Sequence, residues 1–280
     1  MCGRFVSYFD PADLAGVFDA DSITDLPGPS WNVAPTNQVP LVRDMKRAAE
    51  DSTRDRADHQ ASEARRSREV RQPGEVHRPR EAHQPREVRG ARWGLVPSWA
   101  KDLSMGARLI NARSETITVK PAFRAAAKSR RALIPAAGYY EWQAGPAGPK
   151  TPFFLHPEDE GLIALAALYE WWWPRPDRSL APTGPASRPN PLVSATIVTR
   201  AATDALGAIH DRMPLVVPPE LWEAWLSPEL DAPSAVTVLI DEIPDPVLVP
   251  REVGRAVGSV RNDDPSLIAP AGRADGLSPD

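Results

Sequence analysis

Residues 132–142 read Ala-Leu-Ile-Pro-Ala-Ala-Gly-Tyr-Tyr-Glu-Trp and predict two short β-strands, Ala132–Ala136 and Gly138–Trp142, that meet at a glycine. Short apolar and aromatic runs bounded by turn residues are typical of strands. Six further segments of this kind are predicted strands: Val39–Arg43, Leu109–Arg113, Pro152–Leu155, Leu162–Tyr169, Val193–Thr199 and Val236–Ile240. Helices do not regularly separate these strands, which disfavours a parallel doubly wound sheet. We expect a mixed α+β fold with a curved, largely antiparallel, barrel-like sheet and flanking helices.

Four short helices are predicted beside the strands. Asp10 can cap the first helix with Pro11 at its first position, and Leu14, Val17 and Phe18 give it an apolar stripe. The other three are Pro121–Arg131, Thr203–His210 and Pro219–Leu226. The sequence has no glycine-rich phosphate loop and no strand–GxGxxG–helix unit, so it gives no sign of a nucleotide-binding fold.

The composition is that of a globular chain with many loops. The 280 residues are 42% hydrophobic and 25% charged, and the 32 prolines are roughly twice the usual share. The single cysteine, Cys2, excludes a disulfide framework and a multi-cysteine metal site, so we expect no cofactor. No apolar run approaches the roughly 18 residues of a membrane span, and the N-terminus lacks a secretory signal. We therefore expect a cytoplasmic protein without a membrane partner.

The net charge of −4 is unevenly distributed along the chain. From Pro218 onward, twelve acidic residues against four basic ones give −8, which leaves +4 for residues 1–217. The negative net charge of the whole chain therefore does not argue against a polyanionic partner for residues 1–217.

Two segments have the composition of insertions in a single domain that we place at residues 1–260. Residues 44–91 contain repeated Arg-Glu and Gln-Pro phrases and few large apolar side chains, so we expect a disordered loop there. The alternative for this segment is an arm that binds a polyanion. Residues 174–191 are a Pro/Arg/Ser-rich connector, and residues 261–280 are expected to form a flexible tail.

The chain begins Met-Cys-Gly-Arg-Phe, and removal of Met1 would place an α-amine and a thiol together on Cys2. An α-amine has a pKa of about 7.7–8.0, so part of it is neutral and nucleophilic at neutral pH. It can add to an aldehyde to give an imine, and the thiol can then close a five-membered thiazolidine. The second step is intramolecular and gains from proximity. Terminal residues usually fray, so a disordered Cys2 is the alternative.

Five further motifs accompany this N-terminus, each with polar groups inside apolar strand or turn sequence. They are Trp31–Thr36 (WNVAPT), Arg92–Trp99 (RWGLVPSW), Asn111–Thr116 (NARSET), Gly138–Trp142 (GYYEW) and Ile209–Pro214 (IHDRMP). Together with the N-terminal Met-Cys-Gly-Arg-Phe they closely resemble the SRAP family, the abasic-site processing (SOS response-associated peptidase) proteins. All six motifs occur in the family's order, between residue 2 and about residue 216.

The resemblance implies a protein that cross-links covalently to abasic sites in single-stranded DNA, or at a single-/double-strand junction. Cys2 would be the nucleophile, and the matching catalytic residues are Asn111, Glu141 and His210. An amide suits the holding of an amine or a sugar hydroxyl, while a desolvated carboxyl and an imidazole suit proton transfer. Abasic-site strand cleavage by β-elimination and self-processing peptidase activity are implied as secondary activities. We expect a monomer that associates with the nucleoid when bound to damaged DNA.

The resemblance also implies a set of DNA-binding residues. Arg4, Arg113 and Arg212 match positions that contact phosphates, for which guanidinium is well suited. Flat apolar surfaces for stacking beside the missing base would come from Pro35, Trp93 and Trp142. Four other tryptophans are expected in the core: Trp31, Trp99, Trp222 and Trp225. The sequence suggests no role for Trp171–Trp173.

Three other functions stay open at this point. N-terminal-nucleophile glutamine amidotransferases also begin Met-Cys-Gly, but they carry an Asn-Gly motif, and this chain has no Asn-Gly dipeptide. A peptidase acting on other proteins would use a Cys–His pair. A non-catalytic DNA-binding module would bind undamaged strands equally well after Cys2→Ala.

Overall fold

The computed structural model describes residues 2–45, 85–145, 148–174 and 190–272, and within them thirteen strands and five α-helices. The strands are β1 (Arg4–Ser7), β2 (Ser22–Thr24), β3 (Ser30–Val33), β4 (Gln38–Asp44), β5 (Arg86–Trp93), β6 (Asn111–Arg113), β7 (Arg131–Ala136), β8 (Gly138–Gln143), β9 (Thr151–His156), β10 (Ile163–Trp172), β11 (Leu192–Ala201), β12 (Arg212–Pro214) and β13 (Val249–Glu252). The helices are α1 (Pro11–Phe18), α2 (Arg124–Ser129), α3 (Asp204–Gly207), α4 (Trp222–Leu226) and α5 (Pro233–Glu242). No helix in these ranges is long and apolar enough to cross a membrane.

Five strands close into a barrel. Antiparallel pairing joins β11 to β10, β10 to β7, β7 to β4 and β4 to β5. The ring is completed by a short parallel pairing of β5 with β11, in which Trp93 lies opposite Ala195. The mixed α+β fold with a curved, largely antiparallel, barrel-like sheet is therefore confirmed.

A second sheet has the strand order β13–β9–β8–β1–β3 and is antiparallel throughout. Residues 132–142 link the two sheets, because β7 belongs to the barrel and β8 to the second sheet. Gly138 stands at this crossing, and a Cβ there would lie 2.5 Å from the Leu155 carbonyl oxygen. Only glycine allows β8 to start so close to β9.

Strand alternation divides the core into two main clusters. Leu41 and Ile134 point into the barrel, where Cys2 also lies. Their neighbours Val42 and Leu133 point outward, under the helices that cover the barrel. Because successive side chains of a strand lie on opposite faces, these strands are buried on both sides and are apolar almost throughout.

Several elements differ from the sequence prediction: helix is found only over Arg124–Ser129 of Pro121–Arg131 and only over Asp204–Gly207 of Thr203–His210. Val236–Ile240 was expected to be a strand but lies inside α5. Pro233 begins that helix, and Val236, Leu239 and Ile240 are buried at helical spacing, so a helical period explains the apolar run better than a strand. Leu109–Arg113 forms a strand only over Asn111–Arg113.

The predicted insertions and tail have different boundaries in the structure. Asp44 belongs to β4, and residues 86–91 belong to β5 with Val88 and Ala91 buried, so the expected disordered loop 44–91 is too long at both ends. Residues 46–84, 175–189 and 273–280 lie outside the described residues. The tail predicted from 261 is packed in part, because Leu267 is buried at 3% exposure and the Ala271 N–H donates to the Glu252 carbonyl oxygen at 2.8 Å.

The four tryptophans expected in the core have different surroundings. Trp222 and Trp225 are buried, as predicted. Trp99 is 53% exposed, so its assignment to the core is wrong. Trp31 is partly buried and stacks on Tyr8 at a ring-centroid distance of 5.8 Å.

Candidate active site at the N-terminus

Cys2 is fully buried where the start of the chain meets the barrel. It belongs to the same apolar cluster as Phe5, Tyr139 and Ile197. Burial raises the pKa of the Cys2 thiol well above its ordinary value, and the nearby Glu141 carboxylate raises this pKa further. The thiol therefore stays protonated at neutral pH, and it must lose its proton to a base as it reacts.

Asn111 holds the backbone of Cys2. It lies on β6, which pairs in parallel with β11 and places Asn111 opposite Ile197. The Asn111 Nδ2 donates a hydrogen bond of 2.8 Å to the Cys2 carbonyl oxygen. Among the described residues the Asn111 Oδ1 is buried without a hydrogen-bond partner, so an acceptor remains beside Cys2.

Glu141 lies on the barrel-facing side of β8 and is buried at 4% exposure. Residues 139 and 141 share this side by strand alternation. Burial, the Cys2 thiol and the Glu141 carboxylate together raise the pKa of the Tyr139 hydroxyl well above its ordinary value. Cys2, Tyr139 and Glu141 therefore form one group of neighbouring ionisable side chains. Tyr139 was not proposed from the sequence, although its spacing of two from Glu141 would have indicated it.

His210 follows α3 on a turn that is hydrogen-bonded to the same strand as Glu141. The Gln143 Nε2, at the end of β8, donates to the Ala208 carbonyl oxygen at 3.0 Å. The His210 Nδ1 accepts from the Arg212 backbone N–H at 2.9 Å and lies 2.8 Å from the Asp211 Oδ1. The contact with the Arg212 N–H needs an unprotonated Nδ1, whereas the contact with the Asp211 carboxylate needs a protonated one, so together they do not assign the ring proton to one nitrogen.

The three arginines predicted to bind phosphate have different surroundings. Arg4 donates to the Asn32 Oδ1 at 2.7 Å and to the Val257 carbonyl oxygen at 2.8 Å, so its guanidinium is engaged within the protein. Arg212 makes a two-point ion pair with Glu115 at 2.5 and 3.0 Å. Arg113 is exposed at the end of β6, two residues after Asn111.

The three predicted stacking surfaces also differ. Trp93 is fully buried inside the barrel, packs edge-on against Phe5, and donates its indole N–H to the Ile110 carbonyl oxygen at 2.9 Å. It is therefore a core residue, and the prediction that it stacks on DNA is wrong. Trp142, which follows Glu141, is partly exposed, and so is Pro35.

Pro35 is presented by a tight turn over residues 34–37. Thr36 has a left-handed backbone with φ of 76°, which is costly for a β-branched residue. Two hydrogen bonds hold the turn. The Asn37 N–H donates to the Ala34 carbonyl oxygen at 3.1 Å, and the Arg92 guanidinium donates to the Thr36 carbonyl oxygen at 2.7 Å. Pro35 is thus a rigid, partly exposed apolar surface.

Comparison with known proteins identifies the family. The family model for SOS response associated peptidase (SRAP) matches residues 1–260. The abasic site processing protein YoqW of Bacillus subtilis (strain 168) is 30% identical over 272 residues, which cover 96% of this chain and 99% of YoqW. The abasic site processing protein YedK of Escherichia coli (strain K12) is 32% identical over 179 residues, covering 64% of this chain and 72% of YedK.

A solved structure shares the fold. A protein from Bordetella bronchiseptica superposes with a TM-score of 0.59 at 19% identity, covering 90% of this chain and all of that one. The sequence motifs, the barrel with its second sheet, and the family match over residues 1–260 agree. This chain belongs to the SRAP family, the SOS response associated peptidases.

Proposed function

We propose that this protein processes abasic sites in DNA by forming a covalent bond between Cys2 and the aldehyde of the ring-opened deoxyribose, in single strands or at single-/double-strand junctions. The observation that carries the proposal is the position of Cys2, which is hydrogen-bonded through its carbonyl to Asn111 and lies beside the buried Glu141. The names of the relatives, abasic site processing proteins, support the same substrate.

The reaction begins with the α-amine that removal of Met1 would expose. Its nitrogen adds to the aldehyde carbon to give a carbinolamine, which loses its hydroxyl as water and becomes an imine. The thiol sulfur then adds to the imine carbon, the electron pair of the C=N bond moves to nitrogen, and nitrogen gains the proton that sulfur loses. The products are one thiazolidine and one water, with no change of oxidation state.

Glu141 supplies the proton transfers that these steps need. Because the Cys2 thiol is protonated at neutral pH, a base must accept its proton as sulfur attacks. The same carboxyl, once protonated, can donate to the departing hydroxyl of the carbinolamine. Reversal of the adduct by water uses the same group in the opposite direction.

Asn111 and His210 are the other two proposed catalytic residues. By fixing the Cys2 carbonyl, Asn111 holds the amine and thiol in one orientation, and its buried Oδ1 can accept a hydrogen bond from the amine. His210 can transfer a proton to the sugar oxygen as the ring opens. Strand cleavage by β-elimination would draw on the same residues, as would self-processing of a segment before Cys2.

DNA binding then depends on the exposed groups around this site. Arg113 is the predicted phosphate ligand whose side chain is exposed. Trp142 and the rigid turn at Pro35 offer apolar surfaces on which bases can stack without sequence preference. The guanidinium groups of Arg4 and Arg212 donate to acceptors within the protein.

The proposal is tested by cross-linking to a single-stranded oligonucleotide with one abasic site, followed on a denaturing gel. We expect the wild-type protein to form a denaturant-resistant complex, Cys2→Ala to form none, and Cys2→Ser to give only an imine that borohydride traps. Glu141→Gln should slow formation and reversal by roughly 10²–10⁴-fold, the usual contribution of a general acid–base group.

A matched control is Glu223→Gln, which changes an exposed glutamate on α4 and should react like the wild type. Equal cross-linking by the wild type and Cys2→Ala would refute the nucleophile. Unchanged rates for Glu141→Gln in both directions would remove Glu141 from the mechanism.

A further inference from the structure

Arg4 and Asn32 join the strand that follows Cys2 to the C-terminal segment 254–272, which we call the C-terminal strap. The Arg4 Nη1 donates to the Asn32 Oδ1 and to the Val257 carbonyl oxygen at 2.7 and 2.8 Å, and Nη2 donates to the Gly258 carbonyl oxygen at 3.2 Å. The Asn32 Nδ2 donates to the carbonyl oxygens of Ser259 and Asn262 at 3.0 and 2.7 Å. One buried amide and one guanidinium thus fix the strap to β1 and β3.

The strap is also held by packing. Val257 and Leu267 are buried and share an apolar cluster with Val6 and Tyr140. The Asp263 Oδ1 accepts the Trp31 backbone N–H at 2.6 Å. Burial of this kind keeps the segment ordered as part of the folded protein rather than as a tail.

The strap packs against one face of β8, and the reacting groups lie on the opposite face. In β8, Tyr139 belongs to the apolar cluster that contains Cys2. Tyr140 belongs to the other cluster, which contains Val257 and Leu267 of the strap and which we call the strap cluster. Glu141 lies on the same face of β8 as Tyr139. Trp142 lies on the same face as Tyr140 and packs against the strap cluster. The Arg4 guanidinium carbon also lies 6.0 Å from the centroid of the Trp142 ring.

We propose that Arg4 is a positioning residue: it anchors β1 to the C-terminal strap and so keeps Cys2 aligned with Glu141, and it does not act as a phosphate ligand. This inference rests on the proposed function. Three of the five guanidinium N–H groups of Arg4 are already donated to internal acceptors. Cys2 lies two residues from this anchor and its Sγ is 4.0 Å from the Arg4 carbonyl oxygen, so a shift of β1 moves the nucleophile directly.

The test separates the rate of the chemical step from DNA affinity. Cross-linking rates are measured over a range of concentrations of the abasic oligonucleotide to give a saturating rate constant. The Kd for the undamaged oligonucleotide is measured over a range of salt concentrations. The variants are Arg4→Met and Arg4→Lys, with Arg255→Met, an exposed arginine of the strap, as the matched control.

For Arg4→Met we expect the saturating rate constant to fall by about tenfold or more, since a misplacement of about 1 Å can cost about 10²-fold. The Kd and its salt dependence should stay as in the wild type. Arg4→Lys should be as slow as Arg4→Met, because lysine keeps the charge but cannot donate in the fork that Arg4 uses. Arg255→Met should match the wild type in both measurements.

A phosphate ligand would behave differently. Its loss would weaken Kd, lower the slope of log K against log salt by about 0.7 for a single strand, and be largely rescued by lysine. That result, or an unchanged saturating rate constant, would overturn the inference.

A second variant covers the case in which Arg4→Met does not fold. Asp263→Ala removes the exposed carboxylate that binds the Trp31 N–H and leaves Arg4 in place. It should slow the saturating rate with no change in salt slope, and a wild-type rate for this folded variant would count against the inference. If the wild-type protein forms no adduct at all, the proposed function itself fails, and this inference with it.

Discussion

At the scale of single residues, the ion pair between Arg212 and Glu115 links the motif of Asn111 to the motif of His210. Both oxygens of Glu115 accept from the Arg212 guanidinium, which also donates to the Thr199 carbonyl oxygen at 2.7 Å. The hydrogen bond from Arg212 lowers the pKa of Glu115 below its ordinary value of 4.5. The pair therefore joins β12 to the 3-10 turn that follows β6, and both β6 and β12 pair with β11.

This pair predicts part of the acid sensitivity of the fold. A carboxyl whose pKa is lower in the folded state stabilises the protein above its ordinary pKa, and this stabilisation is lost as the pH falls through the folded pKa. Glu115→Gln should therefore lose less stability than the wild type between about pH 5 and pH 3. Chemical denaturation across this range measures the effect, with Glu223→Gln as the control. Parallel pH profiles for Glu115→Gln and the wild type would contradict it.

The sequence predicts the reactive residues of the site better than it predicts the contacts of the residues around them. Cys2, Asn111 and Glu141 each stand in a motif, and the structure brings the three together. The partners of Arg4 and Arg212 lie far away in sequence, so no local pattern could show that their guanidinium groups are occupied. Trp93 was misplaced for the same reason, because its burial depends on the parallel pairing of β5 with β11.

At the scale of secondary-structure elements, several strands of the barrel and of the second sheet were predictable from apolar and aromatic runs, whereas β5 was expected to be a loop. β7, β8, β9 and β11 agree with the predicted segments to within a few residues. The ordered part of the strap from residue 261 was missed, because its large apolar side chains are few, namely Leu267 and Ile268. Its order depends on a few buried anchors that only the tertiary structure reveals.

The burial of Leu267 predicts that shortening this side chain destabilises the folded protein. Leu267→Ala should lower the free energy of unfolding by about 2–5 kcal/mol, as is usual for a buried leucine. Val260→Ala, in the same segment but 59% exposed, should change it by less than about 0.5 kcal/mol. Denaturant titrations of both variants make the comparison. Equal, small effects would mean that residues 261–272 do not contribute to the fold.

At the scale of the whole molecule, one apolar cluster built by the barrel and the second sheet surrounds Cys2. β4 and β5 form an antiparallel hairpin from Gln38 opposite Arg92 to Asp44 opposite Arg86. Just beyond it, the Met45 N–H donates to the Pro85 carbonyl oxygen at 2.8 Å. Met45 and Pro85, which flank residues 46–84, are therefore neighbours at the end of this strand pair.

This geometry predicts that segment 46–84 is dispensable for the fold and the reaction. Replacing it with Asn-Gly should close β4 and β5 as a two-residue hairpin, keep the thermal midpoint at or above that of the wild type, and leave cross-linking unchanged. Removing 44–91 instead would delete most of β5, and that protein should not fold. Loss of cross-linking in the folded 46–84 replacement would show that this segment takes part in function.

We propose that one amine and one thiol, both on Cys2, capture the abasic-site aldehyde. Intact mass spectrometry after incubation with the abasic oligonucleotide tests it most directly, because it reports the loss of Met1 and the composition of the adduct together. We expect a product with the mass of the chain from Cys2 onward plus the oligonucleotide minus one water, and fragmentation that maps the bond to Cys2. An unmodified chain, or an adduct on a lysine or any residue other than Cys2, would contradict the claim.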